Sequence, residues 1–261
     1  MNSAGIFRMG SVLVLAVLIA ACGGSSNDIT AGADADEMPE AFSSIAELDS
    51  SIELDIRYYG ANNFLGRPVT GYEAPACILS TPAARALLDV QRNALASGLS
   101  LKIYDCYRPQ RAVNDFVRWA ADPADELMKA SMYPDVGKDE LFSRGYIAER
   151  SGHSRGSTID LTLVPSGTRQ PELDPFAPWD CRGDEPARFP DNSIDMGSSY
   201  DCFDELSHTE NPRISPEAMS NRFLLRNLME AAGFQNYINE WWHYTLRDEP
   251  YTDQFFDFPV R

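Results

Sequence analysis

Histidine is scarce in this chain, and no His-Glu-x-x-His sequence occurs among its 261 residues. That absence excludes the commonest helical zinc-protease motif. The five cysteines include no Cys-x-x-Cys pair, so the usual spacing of a structural zinc site is missing as well. Basic residues are also few, since 22 Lys and Arg stand against 39 Asp and Glu, for a formal net charge of −17. Because affinity for nucleic acid comes largely from phosphate neutralisation, a chain this acidic is not expected to bind nucleic acid.

The apolar run near the N-terminus, residues 12–21, is too short for a membrane span. Arg8 precedes it, small residues end it, and Cys22 follows, an order that resembles a bacterial lipoprotein cleavage site. A plain signal peptide cleaved nearby is the alternative. We predict a signal peptide over residues 1–21 and a disordered tether over residues 22–45, starting at a lipidated Cys22. The chain would then be an exported lipoprotein, anchored to a membrane by its N-terminal lipid alone and facing the periplasm or cell envelope.

The remaining residues, 46–261, have ordinary globular composition and are enough for one sizeable core. Alternating or apolar stretches predict strands, and proline starts and glycine stops predict helices. The predicted strands cover residues 52–56, 99–104, 158–164 and 240–246, and the predicted helices cover residues 81–97, 109–121 and 215–232. Because the elements do not alternate regularly, we predict a single α+β domain with a small, mostly antiparallel sheet flanked by helices.

Two segments hold the chemistry, residues 151–160 and residues 240–243. They supply His153, Asp160 and His243, which suit a catalytic zinc that takes three N or O ligands and keeps a fourth position for water. Glu240 is the carboxylate left over, and it suits a general base that later returns the proton to a leaving amine. The sequence therefore predicts one Zn²⁺ per chain beside an acid/base. For each segment alone the ordinary alternative is a histidine in a polar loop at position 153 and a core histidine on an aromatic strand at position 243.

The spacing within both segments is odd, so neither fits one face of a straight strand. His153 and Asp160 are seven residues apart, and Gly152 and Gly156 allow a bend between them. We expect His153 on a loop and Asp160 on the strand that follows. A turn or bulge must likewise bring Glu240 round to the side of His243.

Arg108 is predicted at a junction between a strand and a helix, because Pro109 suits a helix start and holds the residue before it extended. A guanidinium at that place could stabilise an oxyanion or bind a carboxylate through two nitrogens. An ordinary surface salt bridge is the alternative for an isolated arginine.

From about residue 52 to its end the chain resembles the zinc D-alanyl-D-alanine dipeptidases, the group that includes the vancomycin-resistance dipeptidase. The matching motifs are Asn63-Phe64-x-Gly66-Arg67-Pro68-Val69-x-Gly71-Tyr72-Glu73, Asp105-x-Tyr107-Arg108-Pro109, residues 151–163, Glu240-Trp241-Trp242-His243-Tyr244 and Phe256-Asp257-Phe258-Pro259. The resemblance implies the zinc D,D-peptidase (hedgehog-like) fold. It also implies zinc ligands at His153, Asp160 and His243, a catalytic base at Glu240, transition-state stabilisation by Arg108, and substrate contacts from Ser151, Asp201 and Tyr58.

This chain departs from the family pattern in an insertion over residues 165–194 and in its cysteines. With Cys22 assigned to lipid, four cysteines remain, and an even count in an exported chain suggests disulfides. Three pairings are possible, and we favour Cys77–Cys106 with Cys181–Cys202, the second of which would fasten the insertion beside the proposed substrate site. A zinc site built from the four cysteines is the weaker alternative.

The activity that the resemblance implies is hydrolysis of D-alanyl-D-alanine or another short D,D-dipeptide in cell-wall peptide turnover. A D,D-carboxypeptidase or endopeptidase on peptidoglycan stem peptides is the first alternative, and a non-catalytic wall-binding zinc lipoprotein is the second. The expected partners are a small dipeptide and, through the N-terminal lipid, a membrane. The sequence gives no oligomeric state.

Overall fold

The computed structural model describes Met1 and residues 36–261. The predicted signal peptide, the predicted lipidation site Cys22 and the first part of the predicted tether lie outside the described residues. Within the part of the chain that is described, no helix is long and apolar enough to cross a membrane.

Short strands and helices alternate irregularly along the described chain. The strands are β1 (Phe42–Ser44), β2 (Glu53–Leu54), β3 (Ile78–Ser80), β4 (Leu99–Asp105), β5 (Thr158–Pro165), β6 (Phe234–Asn236) and β7 (His243–Leu246). The α-helices are α1 (Ile45–Leu48), α2 (Thr81–Leu95), α3 (Gln110–Ala121), α4 (Lys129–Met132) and α5 (Pro216–Ala231). The domain therefore begins earlier than residue 46, because Phe42 and Ile45 are buried in the core.

The main sheet has five strands in the order β2-β4-β5-β7-β6, and a separate pair joins β1 to β3. Only β2 and β4 run parallel within the main sheet; its other three pairs are antiparallel. This confirms the predicted α+β class with a small, mostly antiparallel sheet. Strand β5 is central, and its residues 158–164 are buried on both faces, so the sheet is covered on both sides.

The two long helices begin and end within two residues of the predicted positions. Pro82 lies in the first turn of α2, and Gly98 follows that helix with φ +73°. The hydroxyl of Ser215 accepts a hydrogen bond from the Ala218 N–H at the start of α5, and Gly233 follows that helix with φ +96°. Serine caps and left-handed glycines satisfy the backbone groups that a helix leaves unpaired at its ends.

The predicted strand over residues 240–246 is too long, because the strand starts at His243 and Glu240 lies in the preceding turn. The predicted strand over residues 52–56 is also shorter in the structure, and a 3₁₀ turn (Arg57–Tyr59) follows it. In both places the backbone turns to bring a polar or aromatic side chain toward the same pocket.

The loop over residues 60–72 is held by two polar side chains. The amide of Asn63 donates to three backbone carbonyls and accepts from two N–H groups of the loop. Asp115 on α3 accepts two hydrogen bonds from Arg67 and two from Thr70. These contacts fix the loop that carries Phe64, which lines the same pocket as Tyr58 and Glu240.

We expect Asp115→Asn to destabilise the fold in a pH-dependent way. Burial alone would raise the pKa of Asp115, but the hydrogen bonds from Arg67 and Thr70 outweigh it and lower that pKa from 3.8 to about 2. A carboxyl with a depressed pKa in the folded state adds stability above its unfolded pKa, and this stability is lost as the pH falls from about 4 to about 2. Since Arg67 is 43% exposed and partly screened, the substitution should lower the free energy of unfolding at pH 7 by about 1–2 kcal/mol.

Urea denaturation of both proteins at pH 7 and at pH 3 measures this difference. The matched control is Asp89→Asn, because Asp89 is an exposed helical aspartate that pairs with Arg92 on the next turn. The control should stay within about 0.5 kcal/mol of the parent at both pH values. An equal loss for Asp115→Asn at pH 7 and pH 3 would show that the carboxylate charge does not hold the loop.

Candidate active site

Three acidic or imidazole side chains lie side by side across the middle of the sheet. Asp160 on β5 is in register with His243 on β7 and with Asp105 on β4. Directly opposed residues of neighbouring strands point to the same face. The register shift between Ile103 and Asp105 is a bulge, and it turns Asp105 instead of Tyr104 toward Asp160. Asp105 has no role in the sequence-based prediction, because a bulge cannot be seen from spacing.

His153 reaches the same point from a 3₁₀ turn, Gly152–Arg155, that precedes β5. The Ser151 hydroxyl accepts a hydrogen bond from the His153 N–H, and Gly156 ends the turn with φ +82°. The predicted placement of His153 on a loop and Asp160 on the following strand is thus confirmed. His153 Nδ1 lies 2.7 Å from the carbonyl oxygen of Cys106. That carbonyl can only accept, so Nδ1 carries the proton and Nε2 keeps a free lone pair.

His153, Asp160 and His243 could hold a metal ion together. His153 Nε2 lies 3.3 Å from Asp160 Oδ1 and 3.3 Å from His243 Nδ1, and the last two atoms are 3.0 Å apart. Asp160 Oδ1 is buried and makes no hydrogen bond. One proton on His243 could satisfy only one of these contacts, whereas a cation at their common point would satisfy all three atoms. The donor set of two imidazoles and one carboxylate is therefore suited to a divalent ion.

The electrostatics of Asp160 agree with a ligand role. Burial would raise its pKa, but the two neighbouring imidazoles hold the pKa of Asp160 well below its usual range. Burial tends to lower the pKa of His243, but its close contact with the carboxylate of Asp160 and the nearby charge of Glu240 raise that pKa overall. On the other side of the carboxylate, the Tyr200 hydroxyl donates to Asp160 Oδ2 at 3.0 Å. This bond leaves Oδ1 facing the histidines. The sequence-based prediction did not include Tyr200.

Glu240 stands next to the three potential ligands. Its Oε2 lies 3.3 Å from His243 Nδ1, and its side chain is 19% exposed at the pocket. The turn that carries it is closed by the Glu240 N–H, which donates to the Tyr237 carbonyl. Burial, more than any other cause, raises the pKa of Glu240 to about 7. The turn thus brings the carboxylate of Glu240 to the side of His243, as we expected from the odd spacing of residues 240 and 243.

Arg108 lies at the predicted junction, between the end of β4 and the start of α3. Its Nε and one terminal nitrogen bind Asp105 Oδ2 at 2.9 and 2.8 Å, and the same terminal nitrogen is 3.7 Å from Asp160 Oδ2. The guanidinium carbon lies 4.9 Å from the ring centre of Tyr58 and 5.0 Å from that of Phe116. Arg108 is therefore held next to the candidate metal-binding group of His153, Asp160 and His243, and it does not form an ordinary surface salt bridge.

Asp201 and Tyr58 form a second polar group in the same pocket. The Tyr58 hydroxyl donates to Asp201 Oδ2 at 2.7 Å and lies 3.4 Å from the Tyr200 hydroxyl. Asp201 adopts φ +57°, a left-handed conformation uncommon outside glycine. Burial, aided by the nearby charge of Asp160, raises the pKa of Asp201 well above its usual value. A cationic ligand group would relieve that cost by pairing with the carboxylate.

The predicted site residues line one pocket of about 260 Å³. Each predicted site residue is among its lining residues: His153, Asp160, His243, Glu240, Arg108, Ser151, Asp201 and Tyr58. Aromatic residues that the sequence-based prediction missed complete the wall, namely Phe64, Phe116, Tyr146, Phe203 and Tyr237. Their positions depend on tertiary packing, so no local pattern could have indicated them.

The structure contains the favoured disulfides, Cys77–Cys106 and Cys181–Cys202. The first lies beside the metal-binding group, because the Cys106 carbonyl is the acceptor for His153. The second joins the insertion to the residue after Asp201.

The insertion does not reach the pocket wall, since none of residues 165–194 lines it. The insertion encloses a separate cavity of about 180 Å³ behind Tyr200. Asp191 fastens it to the sheet by accepting from Arg57 at 2.8 Å and from the Tyr104 hydroxyl at 2.6 Å, and by pairing with Lys102 at 3.2 Å. The sequence-based expectation that the insertion borders the substrate site is therefore correct only for its disulfide to Cys202.

Comparison with known proteins agrees with this geometry. The family model described as D-ala-D-ala dipeptidase matches residues 38–172 and 190–261, and the gap between the two segments falls inside the insertion. The D-alanyl-D-alanine dipeptidase of Enterococcus faecium is 41% identical over 86% of this chain and 100% of its own length. That of Streptomyces coelicolor is 41% identical over 84% of this chain and 98% of its own length. That of Escherichia coli is 32% identical over 77% of this chain and 82% of its own length.

Proposed function

This chain belongs to the D-ala-D-ala dipeptidase family, and we propose that it hydrolyses D-alanyl-D-alanine and similar short D,D-dipeptides to free D-amino acids. One observation carries the proposal. Three potential metal ligands meet within 3.3 Å of one another, and a carboxylate outside that ligand set, Glu240, lies 3.3 Å from one of them. The pocket around them is small, which suits a dipeptide better than a long chain.

We propose zinc as the metal, one ion per chain, held by His153, Asp160 and His243. A zinc ion bound there would polarise the peptide carbonyl and make an attacking water more acidic. The support is the donor set and the open side toward the pocket, which match a catalytic rather than a structural zinc site. The hydrogen bond from His153 to the Cys106 carbonyl and the one that Tyr200 donates to Asp160 would orient the ligands, as hydrogen bonds to metal-binding side chains commonly do.

Glu240 would move the proton in the reaction. As a general base it takes a proton from the attacking water, and as an acid it then gives that proton to the departing amine. Arg108 would donate to the oxygen that gains negative charge as the carbonyl carbon becomes tetrahedral. The two contacts with Asp105 hold the guanidinium in place before substrate binds, so little rearrangement is needed.

The substrate's ammonium group would pair with Asp201, assisted by Tyr58 and Ser151. Asp201 is buried beside other acids, so a bound cation compensates a charge that the pocket otherwise disfavours. A longer peptide would place an uncharged amide at this position and leave the carboxylate unpaired. This arrangement favours a dipeptidase over the alternative carboxypeptidase or endopeptidase. The presence of both Glu240 and Arg108 speaks against a non-catalytic binding protein.

We propose that the protein is an exported lipoprotein, lipidated at Cys22 and held at a membrane of the cell envelope by that lipid. The support is the order of Arg8, the apolar run and Cys22 in the sequence. Outside the inner membrane the substrate would come from wall-derived peptides, so cell-wall turnover is the proposed role.

Cys22→Ala should move the protein from the membrane fraction to the soluble fraction; retention in the membrane would contradict lipid anchoring.

The decisive experiment uses the soluble chain from Gly24 onward with D-Ala-D-Ala, L-Ala-L-Ala and a pentapeptide stem ending in D-Ala-D-Ala. We expect release of D-alanine from the D,D-dipeptide alone, loss of activity with a chelator, and recovery when Zn²⁺ is added back. Faster release from the stem peptide than from the free dipeptide would assign the protein to the carboxypeptidase alternative. No hydrolysis of any of the three with Zn²⁺ present would refute the proposed function.

A further inference from the structure

Two arginines line the active-site pocket, and only one of them has an acid partner. Arg108 is bound to Asp105 and approaches Asp160. Arg150 is exposed at the pocket rim and makes no ion pair or hydrogen bond with any other residue in the described part of the chain. Exposed arginines such as Arg85 also lack an acid partner among the described residues, but Arg85 does not line the pocket. The free N–H groups of Arg150 are available to a ligand.

The position of Arg150 is defined although its charge is unpaired. Its guanidinium carbon lies 5.0 Å from the ring centre of Phe255 in the C-terminal segment. The next residue, Ser151, is fixed by the hydrogen bond that its hydroxyl accepts from the His153 N–H. Stacking on an aromatic face holds a guanidinium while leaving the N–H groups at its edge free. Arg150 is thus placed to bind an anion at the mouth of the pocket.

The acidic residues inside the pocket indicate which kind of anion Arg150 would bind. Asp160, Asp201 and Glu240 make the lining acidic, so an anionic group entering it needs a cation of its own. A free dipeptide is a zwitterion whose carboxylate lies one residue beyond the bond to be cleaved. If its ammonium pairs with the buried Asp201, its carboxylate extends toward the exposed rim.

We propose that Arg150 binds the C-terminal carboxylate of the dipeptide, and this inference rests on the proposed function. Arg150 and Asp201 then recognise the two charged ends of one substrate. The spacing between a fixed cation and a fixed anion selects peptides of two residues and rejects those extended at either end. Arg150 is therefore a specificity-determining residue that acts in binding and takes no part in bond cleavage.

The test compares D-Ala-D-Ala with D-alanyl-D-alaninamide, which lacks only the carboxylate charge. For Arg150→Ala we expect the KM for the dipeptide to rise about five- to tenfold, with kcat within about twofold of the parent. The KM of Arg150→Lys should lie between those of the parent and Arg150→Ala, because lysine keeps the charge but loses the planar pair of donors. Kinetic constants for the amide, or its inhibition constant if it is cleaved too slowly, should be the same in the parent and in Arg150→Ala.

Arg85→Ala is the matched control, since Arg85 is another exposed arginine without an acid partner among the described residues, and it does not line the pocket. It should leave all constants unchanged. If Arg150→Ala raised the KM for the dipeptide and for the amide by the same factor, the role of Arg150 would be structural. If it raised neither KM, Arg150 would have no role in binding. Both outcomes overturn the inference. If the parent enzyme cleaves no dipeptide, the proposed function fails, and the carboxylate proposal fails with it.

Discussion

Glu240→Gln should lower kcat for D-Ala-D-Ala by about a thousandfold or more while the protein keeps its metal. The substitution preserves the size of the side chain and removes its ability to take a proton. Positioned general acid–base groups contribute about 10²–10⁴ in rate, and Glu240 would act in both the attack and the departure of the amine. Because Glu240 is outside the set of His153, Asp160 and His243, metal content should remain at one ion per chain.

The measurement pairs steady-state kinetics with metal analysis of the same preparation. Glu210→Gln is the control, since Glu210 is an exposed glutamate that pairs with Arg226 on the surface. It should retain full activity. A Glu240→Gln protein with a turnover within about tenfold of the parent would show that another group moves the proton. A protein that lost both activity and metal would instead place Glu240 among the ligands.

The insertion and the site are connected through a chain of packed tyrosines. Asp191 accepts from Tyr104, Tyr104 stacks on Tyr200 with ring centres 4.4 Å apart, and Tyr200 donates to Asp160. The family match skips residues 173–189, which lie within the insertion. The insertion therefore supports the side of Asp160 that faces away from the two histidines, and it does not line the pocket. For this reason dipeptide selectivity is better sought in Asp201 and Arg150 than in the insertion.

The sequence predicted the elements that carry their own local signals. Pro82 with Gly98, and Ser215 with Gly233, delimit α2 and α5 because caps and left-handed glycines act within one turn. The strands β1, β3 and β6 were missed, since three residues are too few for a periodic pattern. The parallel pairing of β2 with β4 depends on contacts between distant segments and leaves no local signal.

The sequence predicted those site residues whose chemistry is uncommon, and it missed others whose residue type is common. Two of three histidines with nearby acids are enough to suggest a metal-binding group. Asp105 became visible only through the bulge in β4 that brings it opposite Asp160. Tyr200 was missed because tyrosine is common and its contact with Asp160 joins residues 40 positions apart. Arg150 was missed because an exposed arginine is ordinary until its position at the pocket is seen.

His243→Ala and His153→Ala should each abolish stoichiometric zinc binding and with it nearly all hydrolysis. Three ligands are the usual number for a catalytic zinc, and removing one leaves only two donors in the pocket. We expect the parent protein, dialysed against a buffered low zinc concentration, to retain one ion per chain and each variant to retain less than about a tenth of that. Elemental analysis measures the zinc directly, so this prediction does not depend on identifying the substrate.

His208→Ala is the matched control, because His208 is the third histidine of the chain and lies outside the metal-binding group. It should keep its zinc and its activity. Circular dichroism separates loss of metal from loss of fold, and the fold should persist because the two disulfides and the core around β5 do not depend on the ligands. Full zinc occupancy in both His153→Ala and His243→Ala would show that the metal, if bound, lies elsewhere. The geometry at Asp160 would then need another explanation for an oxygen that is buried without a hydrogen bond.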